Sequence, residues 1–381
     1  MKRYAVIAQT VDPDRGSEFA AGWYFLKEVI FDERIQSNFS IHVFISENEK
    51  NRESILNYCR NRNVQAKINF IPQVLPQKHK YFGRLLRFFW QVRLAKVLQR
   101  GKFDIIHQIS PASILYLNPV FLLRSKGKKV VGPMRIQARA SISAMYLSDF
   151  RVLLRQVGIW SKECLEWVGF SYHRWCIRRF AEIHFTPFAR KITNRGEVYC
   201  RETAFISFSN HECTEANSPE PVVIWSGLGD YYRKNEDLAR RITLAMKKDS
   251  ELKGLRVLFF GARKPHLKSH GVDYFDALPR SSFLKLINAS TIYLCTSTLE
   301  INSVLAEEVL SKGGCVVTGN LPGFSMRPDN GGIQVVKDYN SLEDWLTGIR
   351  FSVYNRERCS VWSVQRSKKK EEVIASICGL L

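Results

Sequence analysis

The sequence has no paired cysteines. Its nine cysteines lie singly between Cys59 and Cys378, with no Cys-x-x-Cys pair and no spacing typical of metal ligands. An odd number of scattered thiols fits a reducing compartment better than a disulfide framework. We therefore expect a cytoplasmic protein.

Long hydrophobic runs are also lacking. No stretch approaches the length of about 18 apolar residues that a membrane-spanning helix needs. The apolar run in the N-terminal sequence MKRYAVIAQTVDPD is too short for the core of a signal peptide, and an acidic loop follows it. Any contact with a membrane is therefore expected to be peripheral.

Acidic residues are few relative to basic ones. The chain has 57 Lys and Arg residues against 36 Asp and Glu residues, so its formal net charge is +21 at pH 7. A charge of this size attracts a polyanion, either a nucleic acid or the acidic face of a membrane. Charge alone does not choose between these partners.

The 381 residues are enough for two domains, and short β-rich runs alternate with helical patterns along the chain. This alternation predicts parallel sheets covered by helices. The predicted strands are Tyr4–Ala8, Ile41–Ile45, Ile68–Ile71, Phe103–Gln108, Lys129–Gly132, Ile183–Thr186, Val222–Trp225, Val257–Phe260, Ile292–Cys295 and Cys315–Thr318. We predict an α/β protein with two doubly wound Rossmann-like domains, residues 1–205 and 206–362. A final helix within 363–381 is predicted to pack back on the first domain.

One segment of the second half, Leu294–Gly319, carries recognisable chemistry. A predicted strand ends at Cys295, a loop carries Glu300, and a helix begins near Ser303. The N-terminus of such a helix offers free N–H groups and the positive end of its dipole to a diphosphate. Glu308, more than one turn inside the helix, is suited to accept hydrogen bonds from ribose hydroxyls. Glu300 is suited to do the same for a sugar.

Seven residues separate Glu300 from Glu308, and in this setting the segment resembles the retaining glycosyltransferases of the GT-B fold, in particular family 4 (glycosyl transferases group 1). The preceding stretch, Tyr274–Arg280, also looks like that family. The resemblance implies two Rossmann-like domains facing across a cleft and a nucleotide-diphosphate sugar as donor. It also implies hexosyl transfer with retention to a glycan or lipid-linked acceptor in surface polysaccharide biosynthesis, with neither metal nor cofactor.

The resemblance assigns roles to further residues. Lys234 matches the lysine that clamps the donor diphosphate, while Leu228 stands where the family has its clamping arginine. Glu300, Lys234 and His107, the last facing the transferred sugar, are the catalytic candidates. The other donor-binding candidates are Gly16, Ser17, Arg233, Gly261, Asn302, Ser303 and Glu308. Arg135 and Arg139 are candidates for an anionic group on the acceptor side.

The stretch Lys78–Lys102 contains many basic residues, no acidic residue and several interleaved aromatic residues. It predicts a basic amphipathic helix that binds an anionic membrane surface and brings the protein to the inner face of the cytoplasmic membrane. The alternative is a helix whose apolar face packs on the N-terminal sheet and whose basic face is solvated.

Other functions stay open at this point. Leu228, Ile301 and Ser303 replace an arginine and two glycines of the family, which fits a catalytically impaired protein that still binds a nucleotide-sugar. A GT-B-fold sugar-nucleotide epimerase is another alternative. The net charge also fits a basic protein that binds membranes or nucleic acid, but no recognised nucleic-acid module occurs, so no nucleic acid is expected as partner.

Overall fold

A computed structural model of the protein describes residues 1–9, 11–12, 18–46, 49–72, 83–110, 126–132, 154, 157, 161, 175, 179, 183–186, 197–199, 220–227, 234–262, 271–276, 278–298, 303–321, 324, 332–354 and 361–379. The chain divides into two compact units. The first comprises Met1–Ile136, Leu165–Phe205 and Arg366–Leu381, and the second comprises Gln137–Cys164 and Ile206–Gln365.

The first unit contains a parallel sheet of seven described strands in the order β3-β2-β1-β4-β5-β6-β7. The strands are β1 Lys2–Ala8, β2 Phe39–Ser46, β3 Ala66–Ile71, β4 Ile105–Ser110, β5 Lys128–Val131, β6 Ile183–Thr186 and β7 Glu197–Tyr199. Tyr4 to Ala8 are all fully buried. Such a continuous buried run is typical of a central parallel strand, which is covered on both faces.

The helical segments described for this unit are α1 Glu18–Phe25, which continues as a π-helical turn Leu26–Ile30, α2 Glu33–Asn38, α3 Glu49–Asn61, α4 Gly83–Gly101 and most of α9 Val361–Cys378. Trp90, Leu94 and Leu98 of α4 pack against β1, β2 and Phe103 in one hydrophobic cluster. On α9, Val373, Ile374 and Ile377 are buried, and Glu371 forms an ion pair with Arg34 of α2.

The second unit contains a parallel sheet of six described strands in the order β10-β9-β8-β11-β12-β13. The strands are β8 Val222–Ser226, β9 Arg256–Phe260, β10 Val272–Phe275, β11 Thr291–Cys295, β12 Cys315–Thr318 and β13 Ile333–Val335. The helices described are α5 Glu236–Lys248, α6 Arg280–Leu286, α7 Val304–Ser311 and α8 Leu342–Tyr354. Residues of α5 and α8 form one buried cluster with the sheet, and residues of α6 and α7 form another.

Both sheets have the strand order of a doubly wound nucleotide-binding fold. In each sheet the order reverses at a switch point, between β1 and β4 in the first unit and between β8 and β11 in the second. The predicted α/β class is therefore confirmed. None of the described helices combines the length and the apolarity needed to span a membrane.

Candidate functional site

The switch point of the second unit lies between the carboxyl ends of β8 and β11. Open parallel sheets bind ligands in this position because two loops diverge there and leave a crevice. Thr296, Ser297 and Thr298 follow β11 and are 1%, 0% and 6% exposed. Hydroxyl side chains thus line a buried turn at the edge of the sheet where a ligand is expected.

Thr296 connects three segments around this switch point. The indole Nε1 of Trp225, on β8, donates a hydrogen bond to Thr296 Oγ1 over 3.0 Å. The Thr296 hydroxyl donates in turn to the main-chain oxygen of Lys234 over 2.6 Å. The end of β8, the loop after β11 and the approach to α5 are therefore held together by one side chain.

Asn235 and Tyr339 complete this network. Asn235 has a left-handed backbone with φ of 49°, and its side chain caps α5 by accepting a hydrogen bond from the N–H of Leu238. Asn235 Nδ2 donates to the Tyr339 hydroxyl over 3.1 Å, and this hydroxyl donates to the carbonyl of Thr296. Burial raises the pKa of Tyr339, so the phenol stays protonated and available as a donor.

Lys234, predicted to clamp a diphosphate, is half-buried and directly precedes Asn235. The hydrogen bond from Thr296 to its carbonyl fixes its main chain at the N-terminal end of α5. A lysine in this position adds its charge to the positive end of the helix dipole, which favours an anionic ligand. Arg233 and Leu228 lie outside the described residues.

The predicted helix at Ser303 is also present. Ser303 is the N-cap of α7, and its hydroxyl accepts a hydrogen bond from the N–H of Ala306 over 3.2 Å. Gly313, with φ of 83°, follows the end of the helix. A Cβ at Gly314 would lie 2.5 Å from the carbonyl oxygen of Thr291, so only glycine fits the close approach of α7 to β11. Glu300 and Asn302 lie outside the described residues.

Glu308, predicted to bind ribose, lies on α7 and is 1% exposed. Its Oε1 forms an ion pair with the guanidinium of Arg280, the first residue of α6. Sequence reasoning gave Arg280 no role in the site. The two residues are 28 positions apart, and no local pattern reveals a contact across two helices.

Gly261, one of the predicted donor-binding residues, directly follows β9. Its φ of 64° lies in the left-handed region that favours glycine, and its N–H donates to the carbonyl of Phe275 over 2.8 Å. Gly261 therefore lies at the same carboxyl edge of the sheet as Thr296 and Lys234.

His107 has a different position from the one predicted. It was placed at the end of a strand, but β4 continues to Ser110, and the side chain of His107 is fully buried. Nδ1 accepts a hydrogen bond from the Tyr4 hydroxyl over 2.5 Å, and Nε2 donates to the carbonyl of Gly132 over 2.7 Å. Burial lowers the pKa of His107 to about 4. Both ring nitrogens thus bond to protein groups, and the neutral ring packs within the sheet.

The remaining predicted residues of the first unit, Gly16, Ser17, Arg135 and Arg139, lie outside the described residues. Of the predicted membrane-binding stretch, α4 is described. Its buried face packs on the sheet, while the side chains of Phe89 and Val97 are 49% and 43% exposed. Arg93, Lys96 and Arg100 are exposed on the same helix.

Across the part of the chain that the structure describes, no group of three or more His, Cys, Asp and Glu side chains is arranged to hold a metal ion. The cationic groups described at this edge of the second sheet include Lys234 and Arg280, and Arg280 is paired with Glu308. The candidate site therefore offers hydroxyls, the cation of Lys234, the ion-paired carboxylate of Glu308 and the start of two helices.

No protein-family model matches this sequence, and no curated protein sequence matches it either. Solved structures do share its architecture. Sucrose-phosphate synthase from Thermosynechococcus elongatus is 12% identical, with a TM-score of 0.56 over 100% of this chain and 98% of that chain. UGT89C1 of Arabidopsis thaliana, in complex with UDP-L-rhamnose, is also 12% identical, with a TM-score of 0.57 over 99% and 100% of the two chains. The chain has the GT-B fold.

The GT-B fold is also that of UDP-GlcNAc 2-epimerase from Neisseria meningitidis, bound to UDP-GlcNAc. This enzyme is 11% identical, with a TM-score of 0.53 over 99% of both chains. At identities this low, the structural similarity establishes the architecture alone. The reaction must therefore be argued from the residues of the GT-B chain itself.

Proposed function

We propose that this GT-B protein is a glycosyltransferase that moves a sugar from a nucleotide-diphosphate donor to a glycan or lipid-linked acceptor with retention. The observation that carries the proposal is the second switch point. There the Thr296 network holds Lys234 at the start of α5, and α7 places Glu308 in a buried position. A cation beside helix N-termini suits a diphosphate, and a carboxylate suits ribose hydroxyls.

The proposed chemistry follows from the charge on the departing diphosphate. Lys234 and the N-terminal ends of α5 and α7 stabilise this charge. The Thr296 network holds the main chain of Lys234 at the start of α5, and Ser303 caps α7, so both helix ends are already in place. A phosphate oxygen of the departing group then takes the acceptor proton on the face that the diphosphate leaves, which retains the configuration. Glu300 binds hydroxyls of the transferred sugar, and no metal or cofactor is required.

A thermal-shift screen with UDP, GDP, ADP, CDP and dTDP and with their sugars tests the donor site. At least one nucleotide is expected to raise the melting temperature of the wild-type protein, because a ligand that binds the folded state stabilises it. The shift is expected to be much smaller for Glu308→Ala. A wild-type protein that none of these ligands stabilises would contradict the proposal.

We also propose that the exposed face of α4 binds an anionic membrane and brings the enzyme to a lipid-linked acceptor at the inner face of the cytoplasmic membrane, where it serves surface polysaccharide biosynthesis. Phe89 and Val97 are exposed apolar side chains beside Arg93, Lys96 and Arg100. The described part of α4 contains no acidic residue. Apolar and basic side chains on one face together favour an interface with acidic lipids.

Sedimentation with phosphatidylglycerol vesicles tests the membrane proposal. Phe89→Ser with Val97→Ser is expected to weaken sedimentation several-fold, since each replacement removes exposed apolar surface. The control is Phe351→Ser on α8, which is 38% exposed and belongs to the second unit. Retention on DNA without binding to vesicles would reject the membrane in favour of a nucleic acid.

An epimerase is the second candidate, because an epimerase that binds UDP-GlcNAc has the same fold. The two activities differ in their products. An epimerase releases a free or nucleotide-linked sugar when no acceptor is present, whereas a transferase needs the acceptor. Product analysis with and without added acceptor therefore separates them.

A further inference from the structure

The ion pair between Arg280 and Glu308 is the least exposed of the ion pairs described for this protein. The side chains of Arg280 and Glu308 are 11% and 2% exposed. The pair joins the first turn of α6 to α7. Removing a buried charge from water is costly, so the Glu308 carboxylate depends on Arg280 for compensation.

A second contact ties the same two helices together at the other end of α6. Lys312 Nζ, directly after α7, donates to the carbonyl oxygens of Leu284 and Ile287, the latter over 3.0 Å. The packing of α6 on α7 therefore does not depend on Arg280 alone. Lys312 also provides a matched control, because it serves the same interface through main-chain carbonyls.

The geometry of the ion pair leaves part of the Glu308 carboxylate available. The described contact to this side chain is made to Oε1, so Oε2 remains to accept a hydrogen bond from a second donor. A carboxylate that accepts from an arginine on one oxygen is fixed in orientation. A hydroxyl that bonds to the other oxygen then meets a preorganised, fully charged acceptor.

We propose that Arg280 is a positioning residue for ribose recognition. It pairs with Glu308 and holds the carboxylate in one orientation, so that Oε2 accepts a hydrogen bond from the hydroxyls of the donor ribose. This inference rests on the proposed function. It adds a residue on a different helix, without which the buried carboxylate would be mobile and uncompensated.

Isothermal titration calorimetry with UDP, 2′,3′-dideoxy-UDP and inorganic pyrophosphate tests the role of Arg280. The GDP or ADP series replaces the uridine series if the thermal-shift screen prefers that base. The wild type is expected to bind the ribose form about tenfold or more tightly than the dideoxy form, the ratio typical of a hydrogen bond to a charged group. In Arg280→Met this ratio is expected to fall to within about twofold, with pyrophosphate binding unchanged.

Two further variants separate positioning from structural support. Lys312→Met is expected to lower the melting temperature and to keep the wild-type preference for ribose. Arg280→Lys retains a cation without the planar fork, so its ratio is expected to lie between those of wild type and Arg280→Met. If Arg280→Met does not fold, a reduced ratio in Arg280→Lys supports the proposal.

An unchanged ratio in Arg280→Met and Arg280→Lys would overturn the positioning role and leave the proposed function standing. A ratio that Lys312→Met reduces equally would also overturn it, because the effect would then belong to the interface. A wild-type protein that binds no nucleoside diphosphate would instead refute the proposed function itself.

Discussion

The two sheets have the same strand order, but the buried polar side chains at their switch points make different contacts. At the first, the buried polar contacts of His107 link neighbouring strands, since Tyr4 lies on β1 and Gly132 directly follows β5. At the second, Thr296 lies beyond the end of β11 and connects loops and helix starts. Topology fixes where each switch point lies, and we predict that the position of polar side chains relative to the strand ends decides which of the two binds a charged ligand.

The largest effect is expected at the second switch point. Glu308→Leu removes the buried carboxylate that compensates the charge of Arg280, which should lower the free energy of unfolding by about 3 to 5 kcal/mol. Urea unfolding measures this change. The double variant Arg280→Met with Glu308→Leu is expected to recover much of the loss, because apolar residues then replace both charges. Equal losses in the single and double variants would show that the ion pair does not cause the effect.

At the first switch point, the buried His107 is expected to make the free energy of unfolding depend on pH. Its pKa of about 4 in the folded protein lies below the ordinary value of 6.5, so below pH 6.5 the unfolded chain binds a proton that the folded chain does not. Stability is therefore lost as the pH falls from about 6.5 to about 4, by about 3 kcal/mol in total. Urea unfolding across this range measures the slope.

His107→Gln is the control for that slope. Carboxylates contribute to both proteins, and the difference between the two slopes isolates the proton of His107. Between about pH 6 and pH 5, the free energy of unfolding should decrease more steeply with falling pH in the wild type than in the variant. The difference between the two slopes should correspond to about one bound proton. Parallel slopes would mean that the ring is charged or exposed in the folded state.

A smaller effect is expected from Thr296→Val, which keeps the shape of the side chain and removes its hydroxyl. Trp225 Nε1 loses its described acceptor, and the carbonyl of Lys234 loses the hydroxyl that donates to it. The expected loss is about 2 kcal/mol in the free energy of unfolding, together with several-fold weaker nucleotide binding. Thr296→Ser retains the hydroxyl and should stay close to wild type in both measurements. Equal nucleotide affinity in the valine and serine variants would remove Thr296 from the site.

The smallest effect is expected at an exposed ion pair of the first unit. The ion pair of Arg34 and Glu371 joins α2 to α9, with side chains 49% and 54% exposed. Since an exposed pair is screened by solvent, Glu371→Gln should change the free energy of unfolding by less than about 1 kcal/mol. The change should be smaller still in about 0.5 M salt, because the screening length for exposed charges then falls to a few ångströms. A larger loss that does not depend on salt would indicate that this ion pair contributes more to the stability of α9 than the buried side chains of Val373, Ile374 and Ile377.

The sequence predicts most of the fold and only part of the candidate site. The runs Ile183–Thr186 and Cys315–Thr318 agree with strands of the structure. The second run is buried throughout, as is typical of short apolar strands in a parallel sheet. The N-cap at Ser303 is likewise a local signal. The end of β4 has no such local signal, because Gln108 is polar and yet fully buried within the strand.

The partners of the site residues cannot be read from local patterns. Trp225 and Thr296 are 71 positions apart, and Tyr339 and Thr296 are 43 positions apart. Such pairs meet because parallel strands bring their carboxyl ends to one edge, and the sequence alone does not specify which side chains touch there. The contact of Arg280 with Glu308 was missed for the same reason.

The central claim is that the second switch point, and not the first, binds the nucleotide. Isothermal titration calorimetry of wild type, Glu308→Gln and His107→Gln with the nucleoside diphosphate that the thermal-shift screen selects tests it directly. Glu308→Gln is expected to weaken binding about tenfold or more, while His107→Gln is expected to bind like the wild type. Loss of binding in His107→Gln with unchanged binding in Glu308→Gln would contradict it.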